Sequence, residues 1–342
     1  MSKRNTITIG DFFAGIGGLR LGFQQSGYKI VYSNDNGKRS CETYRANFRD
    51  IDERDIREVD VDVIPNFDVL IAGFPCQPFS VIGKRKGLKD DRGKLFFELV
   101  RILAVKKPRA ILLENVRHLI KHDGGKSFER IKQSLELLGY KVFWQILSSA
   151  DFGVPQRRER LYIAGFLDHG VDFKFPIGKK TTKLKDILEH RANEQFYLSE
   201  KYYKGLLAHK KRHAKQGSGF GCEILDPNGM SHTLVAGNMG RERNLIRDVP
   251  VPKNRWGVRR LTVKECARLQ GFPESFEFPV PMTAAYEQLG NAVTVAVSKA
   301  IAAKIKKLLP QSVIVNNKLS PQFSPSPLKH PVSTIGQETS SA

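Results

Sequence analysis

The sequence predicts an α/β fold, a mostly parallel sheet covered by helices on both faces, with a smaller loop-rich domain after it. Three observations carry this. Short apolar runs alternate with amphipathic stretches through the first half of the 342 residues, the pattern of strands joined by crossover helices. A glycine-rich turn follows the first apolar run, where open sheets of the Rossmann-like kind bind ligands. After about Pro176 the alternation stops, and basic, turn-rich segments replace it.

The elements follow in order. Thr6 to Phe12 reads as a strand, with the glycine turn and a helix through Leu21 to Ser26 behind it. Ile30 to Ser33 and Phe67 to Ala72 are further strands. Leu95 to Val105 has amphipathic helical spacing, and Ala110 to Leu113 is a strand. Ser127 is placed to cap a helix that ends at Gly139. Val142 to Leu147 and Leu161 to Phe166 complete the strands. Lys179 to Lys215 is basic with scattered tyrosines. Thr262-Val263-Lys264-Glu265 is a capping box that opens a helix through about Gln270. Ala284 to Leu309 is a long helical pattern with turn-prone Gly290-Asn291 inside it. Serine, proline, glutamine and asparagine dominate from Pro310, so a disordered tail is expected. The expected domains are 1–176, 177–283 with its variable part at about 177–255, a returning helix at 284–309, and the tail at 310–342.

Composition narrows the function. No apolar run approaches a membrane span, and the N-terminus lacks the features of a signal peptide, so the cytoplasm is expected. Cys41, Cys76, Cys222 and Cys266 lie far apart, which indicates neither a metal site nor a disulfide framework. Lysine and arginine number 56 against 35 acids, a formal charge of +21. From Lys174 to Lys215 there are 12 basic and 4 acidic residues. Lys84-Arg85-Lys86 adds a second basic cluster. Such concentration favours a polyanion, and points to nucleic acid.

Four stretches carry chemistry. Gly73-Phe74-Pro75-Cys76-Gln77-Pro78-Phe79-Ser80 puts a cysteine between two prolines just past a strand. Prolines stiffen the loop, and strand ends of this kind carry reactive groups. Asp11-Phe12-Phe13-Ala14-Gly15-Ile16-Gly17-Gly18 ends the first strand. Its glycines admit a ligand to the backbone, and the next helix presents a positive end. The spacing departs from the dinucleotide signature Gly-x-Gly-x-x-Gly. Asp35, about 20 residues on, stands where an acid holds ribose hydroxyls. Glu114-Asn115-Val116 ends another strand, and Gln156-Arg157-Arg158-Glu159-Arg160 sends Arg158 and Arg160 to one face.

In this combination and order the motifs resemble the DNA (cytosine-5) methyltransferases, with the single-chain layout of bacterial modification enzymes. The resemblance spans about Ile7 to Leu309 apart from a variable stretch near 174–230, and also covers Tyr286-Glu287-Gln288-Leu289-Gly290-Asn291. It implies a class I S-adenosyl-L-methionine-dependent methyltransferase fold with a small target-recognition domain. Cys76 is then the nucleophile that attacks cytosine C6, Glu114 the acid at N3, and Arg158 and Arg160 the supports of a base flipped out of the duplex. The cofactor falls to Phe13, Ala14, Gly15, Gly17, Gly18, Asp35, Asp55, Ile56, Pro75 and Asn291. Where the family often has an aromatic residue after the ribose acid, this chain has Asn36. Contacts to double-stranded DNA fall to Gln77, Ser80, Lys84, Arg85, Thr233 and Arg241. No metal is expected; a monomer is, working alongside a restriction endonuclease that need not bind it. An RNA cytosine-5 methyltransferase and a catalytically inactive DNA-binding regulator are the alternatives.

Overall fold

In the computed structural model, residues 6–75, 95–219, 221–236, 242–248 and 256–309 are described. The first strand β1 (Thr8–Phe12) leads into α1 (Gly18–Gln25), β2 (Lys29–Asn34) and α2 (Lys38–Phe48). Then follow β3 (Val69–Gly73), α3 (Leu95–Lys106), β4 (Ala110–Val116), α4 (Lys126–Leu137), β5 (Lys141–Ser148), the short β6 (Gln156–Arg157) and β7 (Glu159–Phe166). One six-stranded sheet has the order β2-β1-β3-β4-β7-β5. Strands β2, β1, β3 and β4 pair in parallel, and β7 runs antiparallel between β4 and β5. Val69 to Ala72 and Ala110 to Leu113 are buried on both faces, so their runs are continuously apolar rather than alternating.

Two cores flank this sheet. Phe96, Leu99, Ile102 and Leu103 of α3 join Ile131 and Leu135 of α4 on one face. Leu19 and Phe23 of α1 meet Val297, Ile301 and Ile305 on the other, from the last helix. That helix comes from the far end of the chain. The predicted helix over 284–309 is two helices, separated at Ala292–Thr294.

The remainder of the described chain forms α5 (Glu200–Lys215), β8 (Ser231–His232), β9 (Leu245–Arg247), β10 (Val258–Arg260), α6 (Val263–Gln270), α7 (Met282–Asn291) and α8 (Val295–Leu308). Strand β8 pairs with β6, and β9 with β10. A third core joins Leu234, Ile246, Leu261 and Leu269 to Tyr286 and Leu289. The capping box at Thr262 and Glu265 is present, and α6 ends at Gly271 in the left-handed conformation. Among the described residues no helix is long and apolar enough to cross a membrane.

Two local expectations need correction. Helix α4 is entered through Gly125, and its N-cap has no side-chain bond. Ser127 lies inside the helix, buried, with its hydroxyl 2.6 Å from His122 Nδ1. The stretch read only as basic loop contains the 16-residue α5, capped by Ser199. The expected tail at 310–342 lies outside the described residues.

Candidate active site

The parallel strands end around a cavity of about 710 Å³, at the carboxyl edge where open sheets bind ligands. The turn after β1 forms one wall. Phe13 has a φ of 51°, in the left-handed region that side chains other than glycine seldom adopt. Its ring is half-buried and lines the cavity with Ala14, Gly15 and Gly18. A Cβ on Gly18 would stand 2.3 Å from the Val293 carbonyl oxygen, so only glycine lets α1 meet the segment joining α7 to α8. Gly17 precedes α1 with a φ of 85°, and no side chain caps the helix. Its free N–H groups suit an anion.

Asp35, just past β2, accepts from the Gly15 N–H at 2.9 Å and the Gly37 N–H at 2.8 Å. Burial raises its pKa, and those two N–H groups oppose the rise. The carboxylate is therefore fixed in place while its remaining lone pairs stay available toward the cavity. Asp55 is already engaged: Arg57 bonds it through Nε at 2.9 Å and Nη2 at 2.6 Å, and Asn36 Nδ2 at 3.2 Å. Chiefly through Arg57 its pKa falls to about 2. Ile56 lines the cavity, as do Pro75 and Asn291.

The opposite wall carries Glu114. It pairs in register with Gly73 across β3 and β4, and Oε2 would lie 3.7 Å from a Cβ at Gly73. The carboxyl group thus stands beside the strand end that feeds Phe74 and Pro75. Asn115 Nδ2 donates to the Phe74 carbonyl at 2.9 Å, and its Oδ1 accepts from the Val116 N–H. Arg160 Nε lies 3.2 Å from Glu114 Oε1. That contact is an ion pair without hydrogen-bond alignment, because Oε1 has no hydrogen-bond partner. Burial raises the Glu114 pKa, against the opposing charges of Arg160 and Arg158. A buried carboxyl with a raised pKa, lining the cavity at a strand end, is suited to hold and deliver a proton.

Arg158 and Arg160 both line the cavity but differ in use. Arg158 is 1% exposed. It donates from Nη1 to the Leu234 carbonyl at 2.9 Å and from Nη2 to the carbonyls of Gly290 at 3.0 Å and Ala292 at 2.7 Å. Burial, then the charge of Arg160, lowers its pKa to about 9, which still leaves it charged near neutrality. Arg160 donates from Nη1 to the Glu159 carbonyl at 2.9 Å. Gln156 works with Arg158, donating to the Leu269 carbonyl and accepting from the Leu234 N–H. A second cavity of about 530 Å³ shares Val116 and Arg160 with the first, and adds Arg117, His118, Arg157 and Thr233. The Thr233 hydroxyl donates to the Arg157 carbonyl.

Cys76, Gln77, Ser80, Lys84, Arg85 and Arg241 lie outside the described residues. Sequence reasoning passes over two groups. Asp11 is fully buried, and neither carboxyl oxygen has a hydrogen-bond partner. Burial lifts its pKa to about 8. Its signal in the sequence is an acid at the end of an otherwise apolar strand. Asn115 is the other; only its place next to Glu114 at a strand end marks it.

Comparison with known proteins agrees with this geometry. A family model described as C-5 cytosine-specific DNA methylase matches residues 7–307. The chain is 43% identical over 304 residues to the Type II methyltransferase M.NlaX of Neisseria lactamica, covering 87% of this chain and 96% of that one. It is 42% identical over 325 residues to the Type II methyltransferase M.HpaII of Haemophilus parainfluenzae, covering 90% and 91%. The fold is similar to that of the methyltransferase EhMeth of Entamoeba histolytica, with a TM-score of 0.72 at 20% identity over 90% of this chain and 100% of the other. The match runs through both walls of the cavity and the returning helices, and the chain belongs to the family of C-5 cytosine-specific DNA methylases.

Proposed function

We propose that this DNA cytosine-5 methyltransferase takes its methyl group from S-adenosyl-L-methionine and passes it to a cytosine flipped out of duplex DNA, with Cys76 as nucleophile. The observation that carries the reading is the placement of Glu114, buried and lining the cavity, in register with Gly73. Cys76 follows Gly73 by three residues.

The residues of the first cavity fit the cofactor. The Phe13 ring can lie against a flat base or near a positive sulfur. Asp35 offers a fixed carboxylate for ribose hydroxyls, Ile56 an apolar edge, and the uncapped start of α1 a seat for a carboxylate. Pro75 and Asn291 close the same cavity. Asp55 serves from behind by holding Asn36. Bound there, S-adenosyl-L-methionine supplies an electrophilic methyl group.

The chain's own groups prepare the base. The Cys76 thiolate adds to C6 while Glu114 gives its proton to N3, so the pyrimidine gains electron density at C5. Arg160 steadies the base from beside Glu114. Arg158 acts through the carbonyls of Leu234, Gly290 and Ala292, tying the recognition segment to the returning helix. After methylation the C5 proton leaves to solvent, Glu114 recovers its proton, and the Cys76 thiolate departs. Gln77, Ser80, Lys84, Arg85, Thr233 and Arg241 contact the duplex, with Thr233 at the second cavity. We assign residues 1–176 to catalysis, 177–283 to target recognition and 284–309 to closing the cofactor site. The chain works as a cytoplasmic monomer on its cell's DNA and protects it from a restriction endonuclease.

Bisulfite sequencing of DNA from cells expressing the chain tests this reading. Protected cytosines at one recurring short sequence support it, and a conversion pattern identical to that of control cells overturns it.

A further inference from the structure

We infer that the outward face of α5 is a docking surface for the phosphate backbone of DNA, separate from the cavity where chemistry occurs. The inference rests on the DNA-methyltransferase reading above and names a surface that reading leaves open.

Helix α5 is firmly seated. Tyr203 is buried with Leu198, Cys222, Leu245 and Val258, and Ser199 caps the first turn. Taking Tyr203 as the inward direction and about 100° per residue, Lys201, Lys204, Lys211, Arg212 and Lys215 fall within an arc of roughly 100° that runs from one flank to the far side. All five are exposed. No acid shares the arc. Glu200 borders it and touches Lys204 at 2.7 Å, an exposed pair that costs little to exchange for a phosphate.

Ala208 lies in the middle of the arc, and Gly205 at its edge. A Cβ on Gly205 would meet nothing within 4 Å. These small residues let a bulky strand approach while the long cationic side chains close around it. From Lys201 to Lys215 the helix rises about 21 Å. One DNA strand presents a phosphate roughly every 3.4 Å along the axis, so about six phosphates match that span. A face that served solubility alone would mix both signs. A face of one sign, rigidly mounted and with small residues among its cations, fits a polyanion.

The test is duplex binding by fluorescence anisotropy between about 50 and 200 mM salt. Wild type is compared with a chain carrying Lys201→Gln, Lys204→Gln, Lys211→Gln, Arg212→Gln and Lys215→Gln. Each lost phosphate contact flattens the log–log salt slope by about 0.9. The expected flattening is about 3 or more, with affinity at least about tenfold weaker at low salt and the methylated target sequence unchanged. A chain with arginine at the four lysines keeps the wild-type slope. A slope within about one unit of wild type in the glutamine chain overturns the inference. So does a changed target sequence, which would put α5 at base edges. Wild type that binds no duplex at all overturns the underlying reading instead.

Discussion

Asn115 Nδ2 donates to the Phe74 carbonyl oxygen at 2.9 Å. The bond joins the residue beside Glu114 to the chain two residues ahead of Cys76. Glu114's strand end and the chain at Phe74, which leads toward the proposed nucleophile, are therefore registered through one side chain. Asn115→Asp keeps the shape but cannot donate, and it places a charge beside a carbonyl. We expect kcat to fall roughly 10- to 100-fold, the scale of a small misplacement of reacting groups, with a smaller change in KM for DNA. Steady-state kinetics check this. An unchanged kcat would remove the positioning role.

The two arginines should separate stability from turnover. Arg158 is buried and satisfies three carbonyls. Arg158→Met leaves those acceptors unpaired and should cost about 3 kcal/mol or more in denaturant unfolding. Arg160→Lys keeps the charge near Glu114, so stability should change by about 1 kcal/mol or less, while kcat drops about tenfold or more. The reverse pattern would mean that Arg160 holds the fold and Arg158 the base.

Glu114→Gln retains size and hydrogen bonding but has no acidic proton. The expected loss in kcat is about 10²- to 10⁴-fold, the range for a general acid. Single-turnover methyl transfer at saturating duplex measures it. A rate equal to wild type would mean that N3 needs no proton from this residue.

Asp11 gives the stability a pH dependence. Its carboxyl ionises near 3.8 when exposed and at about 8 when buried. Between those values the folded chain holds a proton that the unfolded chain has lost. Its contribution is complete below about pH 4 and is lost as the pH rises toward 8, by up to about 1.4 kcal/mol per pH unit. Asp11→Asn removes that slope. In ligand-free denaturation the variant should match wild type near pH 4 and exceed it near pH 8 by a few kcal/mol. An equal difference at both values would exclude Asp11 as the source.

Much of the fold was legible because local and global preferences agree. Val69 to Ala72 and Ala110 to Leu113 are apolar throughout, being buried on both faces. Thr262 and Glu265 form the expected reciprocal cap. Helix α5 escaped because Tyr203 is its one buried residue; with so small a buried face, no apolar period stands out among the lysines. Helix α2 escaped similarly, burying only Cys41, Thr43 and Tyr44. At the site, Glu114 and Arg160 were legible from their strand ends. The bonds of Arg158 were not, because its three partners lie 76 to 134 residues away in sequence. Spacing along a strand states which face a side chain takes, and not whether carbonyls from distant loops will meet it there.

Covalent trapping tests most directly whether Cys76 is the nucleophile beside Glu114. A duplex carrying 5-fluorocytosine at the methylated position cannot release a C5 proton, so an adduct formed there persists through denaturation. With methyl donor present, wild type should give a stable protein–DNA complex whose modified peptide contains Cys76, and Cys76→Ala should bind duplex without forming it. An adduct on another residue, or methyl transfer that survives in Cys76→Ala, would contradict a nucleophilic role for Cys76.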